Sequence, residues 1–449
     1  MTTITPSSEN EKQEAIPQST ETHPDKESIS PGEQKAISAT STLVEPDVLK
    51  DFPEGGFGWL VVLASFVIYF WTFGLNSTFG VFQAHFLRVG AFNHATEADL
   101  SWVGSLAAGV VFLPGPFINT LIRHLGLYTL VIVGTLSCSL GFILASFATQ
   151  LWQLYLTQGL LFGLGGGMVF LSTISMTSQY FNKRRGFANG IVVSGSGLGG
   201  LVLAPLTNLL ISKMGVQWCQ RILGFCMLAC LVAIFPFLRP RVKTVKTVSI
   251  VDWSLFKVKG FGWLWAFSLV MPFGYMIPVF LTPTYSSFIL GQSSATGAQL
   301  ISIFAGVNAA ARIGMGFVSD HVGRVNTLFV CCFMAGMASL AIWSVATSIT
   351  ILTVFMVVFG AFGGGFISMV PVVTAQVVGV ERLTAALGIL YFGQMIGNLF
   401  GAPIATAIMK VQHGQYLGAI LFAGLAPLVA SFFVLVIRFQ MNKKVFAFV

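Results

Sequence analysis

From Trp59 to Phe439 the chain alternates between long apolar runs and short polar breaks, and each run approaches the ~20 residues that a helix needs to cross a bilayer. The pattern predicts twelve helices, over 59–87, 100–122, 128–148, 151–179, 186–212, 221–238, 262–289, 297–318, 325–347, 350–378, 383–409 and 416–439. Helices are the expected form, because in lipid every backbone N–H and C=O must be satisfied inside the protein. An even count places both termini on one side. Before residue 55 the pattern stops: the stretch to about Lys50 is rich in Ser, Thr, Glu, Gln and Pro with almost no aromatic residue. It has too little apolar surface to offset the entropy of ordering, and a disordered tail is expected.

Composition agrees with lipid as the main solvent. Of 449 residues, 55% are hydrophobic and 9% charged, which excludes a single soluble domain. The formal net charge of +8 hides two unlike parts. Residues 1–54 hold four Lys against eleven acids, net −7, while the remaining 395 hold 20 Lys and Arg against five acids, net +15. The positive part is a membrane signature and not a sign of nucleic-acid binding, because Lys and Arg are retained at the cytoplasmic ends of spanning helices. With the termini inside, the inner breaks carry fifteen Lys and Arg and the outer breaks four. Cytoplasmic termini are therefore expected. The longest break, 239–261, holds six of the fifteen and sits at the midpoint, as a basic linker between two halves would.

The start of the chain has neither the basic-then-apolar order of a secretory signal nor the Arg-rich, acid-poor composition of a transit peptide. Six cysteines without C-x-x-C spacing indicate neither zinc nor a disulfide framework, and no histidine pair has ligand spacing. No metal and no cofactor is expected. The glycine-rich run 195–200 follows an apolar helix instead of a strand and lacks a nucleotide-binding lysine, so close helix packing explains it better than a phosphate cradle.

The second half repeats the first. Offset by 198 positions without gaps, residues 165–205 and 363–403 share twelve identities, mostly Gly, Ala, Pro and Arg. Among them Gly165–Gly167 pair with Gly363–Gly365, Arg184 with Arg382, Gly190 with Gly388 and Ala204–Pro205 with Ala402–Pro403. A fourth and fifth helix recurring as a tenth and eleventh make a parallel six-helix repeat, the organisation of major facilitator transporters. The fold class predicted is an all-α membrane protein of two six-helix bundles. Its expected parts are a tail at 1–54, a bundle at 55–238, the linker at 239–261 and a bundle at 262–449.

Three motifs carry a family resemblance. Gly316-Phe-Val-Ser-Asp320-His-Val-Gly323-Arg324 resembles the G-x-x-x-D-x-x-G-R loop of the major facilitator superfamily. Its glycines allow a tight turn, and Asp320 with Arg324 can form a charge latch on the inner face. The equivalent break in the first half, Arg123-His-Leu-Gly126, has no Asp. Glu54-Gly-Gly-Phe-Gly-Trp59 and Tyr180-Phe-Asn-Lys183-Arg184-Arg185, continuing to Gly199, are similar to two signatures of the monocarboxylate transporter family. The resemblance covers residues 54 to about 440 and implies a transporter of fungal type. It assigns Glu54, Trp59, Lys183, Arg184, Arg185, Asp320, Gly323 and Arg324 to gating. The proton-coupled lactate carriers of that family pair a lysine and an aspartate with an arginine. Those places hold Ser77, Asn308 and Arg312 here, so the resemblance implies transport but not lactate-proton symport.

Arg312 is the principal candidate for solute binding, because it is the only charged residue well inside an apolar run and an intramembrane charge costs at least ~2.5 kcal/mol. A guanidinium can hold a carboxylate by two hydrogen bonds. The competing reading is an arginine tied to carbonyls of a neighbouring helix. Asn308 is expected on the same helix face at i−4, with Asn76 and Ser77 facing it across a cavity. Tyr275 and Tyr285 belong to a helix that Pro272, Pro278 and Pro283 should bend or break. Tyr391, Gln394 and Asn398 could stack on and hydrogen-bond a planar solute.

The function expected is secondary active transport of a small organic solute, monocarboxylate-like, riboflavin-like or a secondary metabolite, with an anionic solute favoured by Arg312. A non-transporting sensor on the same fold and a polytopic membrane enzyme are the alternatives. The partners expected are the solute and the lipid bilayer, with no nucleic acid, and no motif names an ancillary membrane protein. The plasma membrane is the default location and the vacuolar membrane the alternative.

Overall fold

The computed structural model describes residues 52–241 and 251–441. Residues 1–51 of the expected tail, residues 242–250 of the basic linker and the last eight residues lie outside the described residues. Every regular element among those described is a helix, and all of them belong to one compact unit.

We label the membrane-crossing helices α1 (Phe57–Arg88), α2 (Asp99–Leu125), α3 (Leu127–Ala145), α4 (Leu151–Tyr180), α5 (185–214), α6 (216–237), α7 (Phe261–Phe288), α8 (Ser294–Val322), α9 (Arg324–Ala341), α10 (Ile349–Val378), α11 (Leu383–Val411) and α12 (Leu417–Met441). The chain is a multi-pass integral membrane protein of twelve helices in two bundles of six. Helical hydrogen bonding runs from Arg185 to Ile234, and α5 and α6 are separated only where Gly215 takes φ 82°. That left-handed turn is open to glycine without a Cβ penalty. The wide break expected over 213–220 is corrected accordingly, and Arg221 lies in the first turns of α6. It donates from Nε to Ser146 Oγ at 3.0 Å and stands over the rings of Phe147 and Trp218.

Two other helices depart from expectation. The sequence reads as an unbroken helix over 100–122, but α2 loosens into turns after Val110 and a 3-10 turn at Gly115–Phe117, next to Pro114. Conversely, α7 is not broken by its three prolines. Its Gly274 lies so close to α12 that a Cβ would stand 2.5 Å from Pro427 Cδ, and such packing supports proline-bearing helices in lipid. Five residues of α1 (Phe70–Gly74) and seven of α4 (Tyr155–Leu161) are wound as π-helix, a form that often marks functional sites.

The sequence repeat reappears in the packing. Gly165 and Gly167 let α4 touch α3 and α2, where a Cβ would meet Cys138 N at 2.4 Å and Val111 O at 2.2 Å. In the equivalent glycine run of the second half, Gly365 and Gly364 let α10 touch α9 and α8, at Cys331 Sγ (2.4 Å) and Asn308 O (2.8 Å). The pair Gly190 and Gly388 does the same between the bundles. Gly190 of α5 sits on α8 with a Cβ position 2.4 Å from Arg312 O, and Gly388 of α11 sits on α2 with one 2.0 Å from Gly115 O. Small residues are what helices need for this approach, since lipid gives no hydrophobic drive between them.

Candidate functional site

Contacts between the bundles concentrate on the side that carries the termini. There Asp320, in the last turn of α8, accepts the backbone N–H groups of Gly186 and Phe187 at 2.9 Å each. Arg324 donates to the carbonyl of Asn182. The two motif residues also approach one another, Nε to Oδ1 at 3.8 Å, but this is the weaker contact. The charge latch expected within the loop is therefore chiefly a clasp across the interface, on the N-terminus of α5. Gly323, at φ 111°, makes the turn that puts both side chains on this side.

Glu54 completes the clasp from the first bundle's own side. Its carboxylate accepts the N–H groups of Asn182, Lys183 and Arg184 at 2.8, 2.6 and 3.3 Å. Five of the six amides from 182 to 187 thus point at two carboxylates, which suits the positive end of a helix. Lys183 and Arg184 contribute backbone N–H groups while their side chains are exposed. Arg185 is buried, donates from Nε to the Phe181 carbonyl at 2.9 Å and stacks over Phe52. Trp59 packs against Phe181 and Phe187. Further along the interface, Ser175 Oγ and Thr384 Oγ1 meet at 2.7 Å.

At mid-depth the interface holds an arginine and a group of rings. Arg312 is 7% exposed and its Nη1 donates across the interface to the Val193 carbonyl of α5 at 2.8 Å and to Ser196 Oγ. Its Nε is buried without a partner. Tyr391 of α11 stacks on Phe112 of α2, with centroids 5.6 Å apart and planes at 8°, and meets Phe170 of α4 edge-on at 5.3 Å. Phe170 in turn contacts Tyr69 and Phe73 of α1. The buried hydroxyls of Tyr69 and Tyr391 face one another and have no third hydrogen-bond partner among the described residues, and Tyr69 also lies within electrostatic reach of Arg312. Buried polar atoms are normally satisfied, so an unpartnered guanidinium Nε near two hydroxyls that have only each other suits a site that expects a polar ligand.

Of the residues predicted from the sequence, Arg312 and Tyr391 are brought to this place, and Gln394 follows Tyr391 one turn along α11, 7% exposed and with no hydrogen-bond partner among the described residues. Asn398, half-buried, continues that helix. Ser77 is exposed beside Gly200 of α5, its hydroxyl on the Phe73 carbonyl at 2.9 Å. Asn76 turns instead to a small cavity inside the first bundle with Thr72, Ala107 and Gly163.

Asn308, Tyr275 and Tyr285 are drawn away from it. Asn308 Nδ2 donates to the Tyr275 hydroxyl at 3.1 Å and to the Gly360 carbonyl at 3.2 Å, all within the second bundle. Asn308 and Arg312 stand one turn apart on α8 but differ in reach: the long arginine crosses to α5 and the short amide stays in its own bundle. Tyr285 donates to the Ala346 carbonyl at 3.0 Å and packs against Trp343 and Tyr416. Sequence reasoning missed Tyr69, Phe73, Phe112, Phe170 and Ser196. For Ser196 a signal existed, because the 198-residue offset pairs Val193 with Tyr391 and Ser196 with Gln394. Among the described residues no three His, Cys, Asp or Glu side chains gather as a metal centre requires.

Known proteins agree with this architecture. Residues 59–348 match the family described as Major Facilitator Superfamily. The agnestins efflux protein of Paecilomyces divaricatus is 31% identical over 442 residues, covering 97% of this chain and 98% of its own. Monocarboxylate transporter 12 of Homo sapiens is 29% identical over 417 residues, covering 84% and 80%. The crystal structure of the human organic anion transporter MFSD10 superposes with a TM-score of 0.65 over 84% of this chain and 98% of that one, at 12% identity, a likeness of fold.

Proposed function

This chain belongs to the major facilitator superfamily, and from that premise we propose that it is a secondary active transporter of a small planar organic anion. One observation carries the reading. Arg312 is buried at the meeting of the two bundles with no acid paired to it among the described residues, its Nε is unpartnered, and the Tyr69 and Tyr391 hydroxyls, which have only each other, lie nearby among stacked rings. An anionic group would supply the missing acceptor, and a planar body would suit the rings. A relative named an efflux protein and another named a monocarboxylate transporter support organic solutes as the cargo.

Transport proceeds by alternating access, with residues 55–238 and 262–449 as the moving bundles and 239–261 as their linker. The clasp of Asp320 and Arg324 on α5 closes the termini side while the solute enters from the other. With cytoplasmic termini, the conformation described is closed to the cytoplasm. The plasma membrane is its location and the vacuolar membrane the second choice.

The test is uptake by proteoliposomes containing the purified full-length protein, offered radiolabelled para-hydroxybenzoate or its neutral amide, with protein-free vesicles giving the leak. Saturable uptake of the acid and none of the amide is expected. Saturable uptake of the amide alone overturns the anion assignment, binding without flux favours a sensor, and chemical conversion of the acid favours an enzyme.

A further inference from the structure

The way Arg312 is held says more about the site than its position does. A guanidinium is planar, and its Nε–H and one Nη lie on the same edge, which is the edge that grips a carboxylate by two parallel bonds. Here Nη1 is spent on α5, on the Val193 carbonyl and Ser196 Oγ. Ser196 is fixed for this task, because its own hydroxyl proton goes to the same Val193 carbonyl at 2.9 Å. The edge that remains, Nε and Nη2, has no partner among the described residues, and only its Nε is fully enclosed. The seat on α5 is possible because glycines let the helices meet: a Cβ at Gly190 would stand 2.4 Å from Arg312 O, and one at Gly197 would stand 2.8 Å from Ala309 Cβ.

The seat and the arginine belong to different bundles. They are joined in this structure, in which Asp320 also holds the amides of Gly186 and Phe187 on the termini side.

We propose that Ser196 is a positioning residue for the solute: it holds Arg312 Nη1 from the opposite bundle, presents Nε and Nη2 as the gripping edge, and makes the closed-termini conformation the one that binds an anion more tightly. This rests on the reading that Arg312 receives the solute's anionic group. A ligand that prefers one of two conformations shifts the population towards it by its differential affinity, and a ligand with equal affinity shifts nothing. The anion therefore stabilises closure on the termini side, and losing the seat removes that bias without removing the arginine.

The experiment is a pair-distance measurement between spin labels at Leu125→Cys and Met441→Cys, exposed helix ends on the termini side of the two bundles. The full chain is used, with exposed Cys226 and half-buried Cys230 replaced by Ala. Para-hydroxybenzoate is the probe and its binding is measured in parallel. The expected result is a rise of about twofold or more in the ratio of short-distance to long-distance populations with probe, a rise absent in Ser196→Ala, whose affinity for the probe falls by about 3- to 10-fold through loss of one charge-assisted bond. An equal rise in Ser196→Ala, or a shift towards long distances in the unmodified site, overturns the proposal while leaving anion binding intact. No binding by either protein overturns the underlying reading of Arg312 and this proposal with it.

Discussion

At the residue scale, solute binding depends on one guanidinium. Arg312→Lys keeps the charge but loses the planar edge, and should weaken binding of an organic anion by ~1–3 kcal/mol, with Arg312→Gln worse; equilibrium binding of para-hydroxybenzoate to detergent-purified variants measures both. Asn308→Asp carries a different expectation from the one that the sequence alone suggests. Placing an acid one turn from Arg312 looks like restoring a coupling pair, but Asn308 spends its donors on Tyr275 and the Gly360 carbonyl. An ionised carboxylate cannot donate to a carbonyl, so Asn308→Asp should destabilise the second bundle by ~1–3 kcal/mol. The loss should be greater at about pH 8 than at about pH 5, because ionising the new acid removes its proton donor. A melting temperature that is unchanged across that range would contradict the placement of Asn308. The lone charge made Arg312 legible in the sequence. The direction of its side chain was not, since i and i−4 share a helix face whether a side chain crosses to the next bundle or turns inward.

At the scale of elements, the N-terminus of α5 is gripped by two carboxylates with different duties. Asp320 reaches it from the other bundle, whereas Glu54 precedes α1 in the same bundle as α5. Asp320→Asn should weaken closure of the termini side by ~1.5–3 kcal/mol, the worth of hydrogen bonds to a charged group, while Glu54→Gln should lower thermal stability and leave closure nearly intact. The check is the labelling rate of Ser175→Cys, a position 2% exposed at the interface, by a polar thiol reagent. The rate should rise by about tenfold or more in Asp320→Asn and change little in Glu54→Gln; equal rates in the two would contradict the division of labour. The motif residues at this clasp were readable as a motif, but the sequence placed the ion pair inside the loop. Only packing reveals that the backbone amides of Gly186 and Phe187, which leave no trace in residue identity, are the chief partners of Asp320.

At the scale of the whole molecule, most of the architecture was legible because lipid permits few alternatives. A run near the length of a bilayer crossing has to be a helix, and an offset repeat rich in glycine has to mark equivalent helix contacts, as Gly190 and Gly388 do. The aromatic group at mid-depth was not legible: Phe73, Phe112 and Phe170 are three of 42 Phe, and rings facing lipid, core or cavity look alike in sequence. The distribution of Lys and Arg predicts that residue 94, between α1 and α2, is reached by a membrane-impermeant thiol reagent in intact cells when changed to cysteine. Labelling that requires permeabilisation would reverse the topology. Deleting residues 2–45 should leave transport per molecule within about twofold of the full chain, because a segment so polar has little apolar surface to pack; a deletion variant that reaches the membrane normally and carries nothing would contradict this.

If an organic anion crosses by way of Arg312, counterflow will depend on that residue. Proteoliposomes are loaded with unlabelled para-hydroxybenzoate, diluted into a trace of the labelled acid, and compared for the unmodified protein and Arg312→Ala reconstituted in equal amounts. A transient accumulation of label above equilibrium is expected with the unmodified protein, and its loss, by about 100-fold in initial rate, in Arg312→Ala, the scale of ~3 kcal/mol. Undiminished counterflow by Arg312→Ala would contradict it.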